Sequence, residues 1–227
     1  MIRESILVMM VLSSFGSVTA QTALPVDSSY AVPYYAQRLA FFRLMPDQKN
    51  EIVFLGNSLI EWGEWQELLA RQPVVNRGIS GDNTYGVLAR LDEVVSSRPA
   101  RIYLMVGTND LLSRIPDNII IRNYSRILSQ IRVHSPKTRV YIHSLLPVNE
   151  PLLPDTYKVL TNEKIRQLNQ KLRQFAEANS IPFVNVYEVF ADDSGQLRKE
   201  LSLDGLHITS SAYIEWVDFL RRQKYLR

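Results

Sequence analysis

The sequence predicts a three-layer α/β/α fold built on a doubly wound, parallel, five-stranded sheet. Three observations carry this reading. Five short apolar runs recur along the chain. Helical patterns separate them. The runs are continuously apolar rather than alternating, as strands covered on both faces should be.

The elements follow in order. A helix is expected over 34–44, with Leu39, Phe42 and Leu44 at helical spacing and Met45-Pro46 closing it. The first strand is 51–55, ended by Gly56. The second is 74–77, ended by Gly78, and the third is 101–106, ended by Gly107. The fourth, 140–143, leads to Pro147, and the fifth is 183–186. Helices are expected over 58–70, 86–96, 118–134, 157–179 and about 211–224. Parallel neighbours require right-handed crossovers. No internal repeat or linker divides the chain, and 227 residues suit one domain with a sizeable core.

Composition excludes several classes of function. The net charge of +3 is small, and the only local basic run is Arg221, Arg222, Lys224 and Arg227. That run reads as a solvated helix end, where cations suit the helix dipole. No basic stripe interleaved with aromatics is present, so no nucleic-acid partner is expected. The absence of cysteine removes disulfides, thiolate metal sites and a cysteine nucleophile.

The amino terminus has the pattern of an export signal. Arg3 precedes an apolar run over 6–12, and small residues at Val18 and Ala20 suit a cleavage before Gln21. The run is shorter than the roughly 20 residues that span a bilayer, so stable membrane insertion is not expected. The expected organisation is therefore a signal peptide at 1–20, a flexible lead-in at 21–33 and one folded domain at 34–227.

In open parallel sheets, ligands bind outside the carboxyl ends of the strands. That rule selects Gly56-Asn57-Ser58, 78–81, 107–110 and the segment 204–207 before the last helix. Ester cleavage by serine needs a nucleophile, a base, an acid that orients the base, and donors for the oxyanion. Ser58 opens the first crossover helix, where a hydroxyl can serve as nucleophile or as a plain helix cap. His207 follows Asp204 by three residues, so both side chains can meet on one turn. Asn109 can donate its amide into the cleft, and Gly78 lets a backbone N–H approach a ligand. His143 ends the fourth strand and is a weaker candidate for substrate contact. His134 sits at a helix end. Asn123-Tyr124-Ser125 fits a glycosylation sequon inside an expected helix.

With these residues in place the sequence resembles the SGNH hydrolases, also called GDSL-type esterases. The four signature residues match as Ser58, Gly78, Asn109 and His207. The surrounding blocks match at 54–59, 76–82, 106–110 and 204–207, and the likeness runs from about Tyr34 to the carboxyl terminus. The second and last blocks are most similar to the branch holding platelet-activating-factor acetylhydrolase-like proteins and bacterial sugar O-acetylesterases. One position departs from the family. Asn57 stands where Asp usually precedes the nucleophile; it loses the charge but keeps an acceptor that can cap a helix. No Gly-x-Ser-x-Gly surrounds Ser58, so the sharp elbow of α/β-hydrolases is not expected.

The resemblance implies a flavodoxin-like version of the fold and a serine mechanism. His207 deprotonates Ser58, Asp204 holds His207, and the oxyanion meets the N–H groups of Ser58 and Gly78 and the Asn109 amide. It implies no metal and no organic cofactor. Asn57, Asp82, Tyr85, Trp62 and Trp65 are candidate substrate contacts; a continuous helix places both tryptophans on the Ser58 face, where they can border the pocket or pack in the core or on the sheet. The expected substrate is a small-molecule or carbohydrate ester with a short acyl group. A phospholipid acyl ester is the alternative. Two other classes are weaker: a nucleotide-binding domain lacks its glycine fingerprint, and a non-catalytic carbohydrate-binding domain would have no use for Ser58, Asp204 and His207.

Overall fold

The computed structural model describes residues 27–226, so the expected signal peptide lies outside the described residues. The chain begins with α1 (Pro33–Leu44), β1 (Ile52–Gly56), α2 (Ser58–Glu61), α3 (Trp65–Leu68) and β2 (Val74–Gly78). Next come α4 (Thr84–Ala89), α5 (Leu91–Ser96), β3 (Arg101–Met105), α6 (Thr108–Leu112) and α7 (Asp117–His134). The chain closes with β4 (Arg139–His143), α8 (Asn162–Ala178), β5 (Phe183–Val184), α9 (Tyr187–Phe190) and α10 (Ser210–Arg222). The strands form one sheet in the order β2-β1-β3-β4-β5, with every pair parallel. Among the described residues no helix is long and apolar enough to cross a membrane.

The expected α/β fold is therefore present, and the order explains where chemistry can sit. β1 lies between β2 and β3, with Gly56 paired to Gly78 on one side and to Met105 on the other. The connection from β1 runs to β2 on one side and the next, from β2, crosses to β3 on the other, which opens a crevice at the carboxyl ends of these strands. The residues that follow β1, β2 and β3 all border it.

One face of the sheet carries an aromatic ladder. Phe54, Tyr103 and Tyr141 share a register across β1, β3 and β4, and their rings stack at 4.9 and 4.8 Å. Trp65 stacks on Phe54 at 4.0 Å, and Trp216 of α10 meets Trp65 edge-on at 5.3 Å. The other face is covered by α7 with its neighbours; Tyr124 reaches from it to donate to the Val106 carbonyl at 2.7 Å.

Several helices differ from the sequence expectation. The helix expected over 58–70 is two short pieces, α2 and α3, separated at Trp62-Gly63-Glu64. Asn76 on β2 holds the break: its Nδ2 donates to the carbonyls of Ile60, Glu61 and Gly63 at 3.1, 2.9 and 3.0 Å. The helix expected over 86–96 breaks at Arg90, whose guanidinium turns inward. Its Nη2 donates to the carbonyls of Gly56 and Arg77 at 3.1 and 2.9 Å, tying together the ends of β1 and β2. The helix expected from 157 starts only at Asn162, after a turn at Asp155–Tyr157, with Thr161 as its cap. The fifth strand pairs over Phe183–Val184 alone.

The described part of the lead-in contacts the domain. Asp27 and Ser29 accept hydrogen bonds from Asn83 Nδ2 at 3.1 and 3.3 Å, and Tyr30 packs edge-on against Tyr35 at 5.0 Å. Asn123 of the sequon is buried and donates to Thr84 Oγ1 at 2.9 Å, so it is not open to glycosylation in the folded chain.

Candidate active site

Ser58 is the first residue of α2, immediately beyond β1. Asn57 caps this helix: its Oδ1 accepts from the Leu59 N–H at 3.1 Å. The departure from the usual Asp thus preserves the acceptor on which the helix start depends. Among the described residues the Ser58 N–H has no hydrogen-bond partner, as befits the first turn of a helix.

The Asp204 turn brings its histidine to this serine. Asp204 Oδ1 accepts the N–H groups of Leu206 and His207 at 2.9 and 2.7 Å, while Oδ2 faces His207 Nδ1 at 2.7 Å. His207 Nε2 then lies 3.0 Å from Ser58 Oγ. Gly205 makes the turn possible, with φ +91° and a would-be Cβ only 2.8 Å from Leu153 N. Partial burial pushes the Asp204 carboxyl up, but the His207 ring and the two N–H donors outweigh it and hold the group below its ordinary value. An ionised Asp204 accepts from Nδ1–H, which leaves the Nε2 lone pair facing the serine proton. Trp62, half exposed, lies parallel to the imidazole, with ring centroids 4.0 Å apart and planes 20° apart.

The expected oxyanion donors divide. Asn109 lies on α6, and its Nδ2 donates one hydrogen to the Asp82 carbonyl at 2.7 Å, leaving the second free. Gly78 corrects the sequence expectation. Its N–H is already bonded to Asn76 Oδ1 at 2.9 Å, and it is the last residue of β2. A Cβ there would lie 2.2 Å from Glu61 N, so its role is to let α2 approach β2. Within the 78–82 block the glycine whose N–H is unengaged is Gly81, at φ +82°, next to the Asp82 carbonyl that anchors Asn109. The sequence block contained both glycines. Strand register, which places Gly78 opposite Gly56, is the signal that separates them.

Glu61 also escaped the sequence reading. Its carboxylate accepts from Ser80 N at 2.6 Å and Oγ at 2.5 Å, pairs with Arg38 at 2.8 Å and accepts from Tyr34. It thereby ties α1 to the residue just before Gly81. Its position three residues after Ser58 was a legible sign that it shares that helix face.

Four other expectations fare differently. Trp65 is fully buried and packs on Phe54, Tyr213 and Trp216, with Nε1 donating to Ile60 O at 2.7 Å. It is a core residue and not a substrate contact; the broken helix is the reason it leaves the Trp62 face. Asp82 is likewise enclosed, paired with Arg90 at 2.8 Å with no exposed side-chain surface on either partner. Burial raises its carboxyl to about 6 against the pull of Arg90. Tyr85 is nearly buried and lines a cavity with Asp27, Arg114, Ile115 and Ile119, beside the helix that carries Asn109. His143 does not reach the site: it is buried between Tyr103 and Trp216.

Known proteins resemble this chain in sequence and in fold. The family model of GDSL-like lipases and acylhydrolases matches residues 54–213, which contain every residue of the relay. The chain is 26% identical over 191 residues to platelet-activating factor acetylhydrolase IB subunit alpha2 of Gallus gallus, covering 79% of this chain and 78% of that one. Against subunit alpha1 of Homo sapiens it is 28% identical over 174 residues, covering 74% and 72%. A solved Streptococcus pneumonia structure named for platelet activating factor superposes with a TM-score of 0.79 at 31% identity, covering 86% of this chain and 93% of that one. An acetylxylan esterase from Geobacillus stearothermophilus shares the fold, with a TM-score of 0.61 at 16% identity over 79% and 96% of the two chains. With a serine, histidine and aspartate relay at the carboxyl ends of its strands, the chain belongs to the GDSL-like lipase/acylhydrolase family and is a carboxylic ester hydrolase.

Proposed function

We propose that this protein is an exported esterase that removes short acyl groups, chiefly acetyl, from carbohydrate hydroxyls through an acyl-enzyme on Ser58. The observation that carries the mechanism is the continuous contact from Asp204 Oδ2 through both His207 nitrogens to Ser58 Oγ, at 2.7 and 3.0 Å. The Ser58 proton passes to Nε2 as Oγ attacks the ester carbonyl. The N–H groups of Ser58 and Gly81 and the free Asn109 amide hydrogen receive the oxyanion. The intermediate collapses as His207 returns the proton to the leaving alcohol. Water, deprotonated by His207, then releases the acid and restores Ser58.

The acetyl preference is supported by the names of the curated relatives, which are acetylhydrolases. The carbohydrate is supported by the block resemblance and by the export pattern at 1–20. The same relatives favour a second reading, an acetyl ester on a phospholipid, and exposed Trp62 and Leu203 beside the site suit it.

The test is a set of initial rates on p-nitrophenyl acetate, butyrate and octanoate, with Ser58→Ala as control. Acetate preference lost in the control supports the proposal, and acetylated xylan against a short-chain acetyl phospholipid then decides the alcohol. Octanoate preference, or activity that survives Ser58→Ala, overturns it. Export is checked by sequencing the amino terminus of protein recovered outside the cytoplasm; a chain that still begins at Met1 removes that part of the proposal.

A further inference from the structure

Trp62 occupies an unusual place for a half-exposed tryptophan. It does not enter the aromatic core that holds Trp65 and Trp216. Its indole instead lies flat on the His207 imidazole, at 4.0 Å between centroids and 20° between planes. Two supports hold it there. Trp62 N–H donates to the Ser58 carbonyl at 2.9 Å, so its backbone belongs to the turn that presents the nucleophile. Asn76 grips the carbonyls on both sides of it, at Glu61 and Gly63.

His207 has in-plane partners at both nitrogens, Asp204 and Ser58. Those two bonds fix the ring within its plane but do little against tilting out of it. A flat indole on one face supplies that constraint. It also adds an electronic effect. The imidazole becomes an imidazolium when it takes the Ser58 proton, and an indole face attracts a cation more than a neutral ring. Support that is stronger for the charged ring than for the neutral one acts on the barrier rather than on substrate binding.

We propose that Trp62 is a positioning residue for His207, holding the imidazole plane in line with Ser58 and favouring the imidazolium formed during attack. The proposal rests on the reading of His207 as the base. Few other charges face the ring. Asp204 lies on its own turn. On α2, Glu61 is turned onto Ser80, Arg38 and Tyr34. On the 150–152 turn, Glu150 is held on the Asn162 N–H at 2.7 Å.

The experiment compares Trp62→Phe and Trp62→Leu with the intact protein, reading kcat, KM and the acid limb of kcat/KM on p-nitrophenyl acetate. Trp62→Leu should lower kcat about 5- to 20-fold, the size expected of a lost cation–aromatic contact. KM should hold and the acid limb should move. Trp62→Phe should recover most of the rate. A second readout is spectroscopic, because a protonated imidazole in contact quenches indole emission. Emission of the intact protein should fall along the same acid limb as kcat/KM, and this change should vanish in His207→Gln. Trp216 lies against His143, but burial holds that ring down to about 3, so it stays silent over the working range. A rise in KM with unchanged kcat and acid limb, or emission that ignores His207, overturns the proposal and makes Trp62 a substrate wall. Activity that survives His207→Gln overturns instead the reading of His207 as base, which separates the two failures.

Discussion

The Asn109 side chain is bonded to the backbone of Asp82, its Nδ2 reaching the carbonyl oxygen at 2.7 Å. A primary amide has two hydrogens, and this bond fixes both: one is spent on Asp82, and the other is directed away from it. The donor is therefore preorganised before substrate arrives. Removing one such donor from an oxyanion site costs about 10²- to 10³-fold in kcat. Asn109→Ala should show a loss of that order on p-nitrophenyl acetate with KM little changed. A loss confined to KM would place Asn109 in ground-state binding and leave Gly81 and Ser58 as the oxyanion donors.

Asp204 has two separable duties. Oδ1 builds the turn by accepting from Leu206 and His207, and Oδ2 orients the imidazole. Asp204→Asn keeps an acceptor for the turn but offers an N–H to Nδ1, which favours the wrong tautomer. By analogy with the same change in serine proteases, kcat should fall roughly 10⁴-fold. Thermal melting should move little. A folded variant with near-normal kcat would mean that the turn, and not the carboxylate, is what the reaction needs.

Asp82 and Arg90 should dominate stability rather than substrate affinity. Both side chains are wholly enclosed, and Arg90 also bridges the carbonyls that end β1 and β2. Breaking such a pair from one side strands a buried charge and costs about 3–5 kcal/mol. Arg90→Met should show that loss in chemical denaturation, with KM preserved in the fraction that folds. A loss below about 1 kcal/mol would mean that water reaches the pair, against its burial.

The fold was legible because continuous apolar runs and helical spacing are properties of local sequence. The relay was legible because Asp204 and His207 share a turn, and the family blocks linked them to Ser58. What escaped depended on tertiary contacts. Trp65 was misplaced because nothing local announces that Asn76 will grip three carbonyls and break the helix. Gly78 and Gly81 stand in one sequence block, and nothing local announces that Gly78 ends β2 with its N–H bonded to Asn76 Oδ1. Asp82 looked like a site residue by sequence proximity, and its side chain in fact turns inward to Arg90.

His143 should make the protein sensitive to acid. The ring is fully buried with neither nitrogen hydrogen-bonded among the described residues, and burial lowers its ionisation from 6.5 to about 3. As pH falls through 6.5 the unfolded chain takes up a proton that the folded chain refuses. The stability present above that pH is thus lost progressively, down to about pH 3. Asp110 has the opposite sign: burial raises it to about 7, so the stability it adds is present below the unfolded value of 3.8 and is lost as pH rises through 7. Asp82, raised to about 6, acts in the same direction as Asp110. Comparison with His143→Leu isolates the histidine, because both carboxylates are common to the two proteins. The difference in unfolding free energy, wild type minus variant, should be level above pH 6.5. Below it the difference should fall by about 1.4 kcal/mol per pH unit towards pH 3. Denaturant titrations at pH 7.5, 6, 5 and 4 measure it, and a difference that stays level across that range would mean that the ring gains a proton partner in solution.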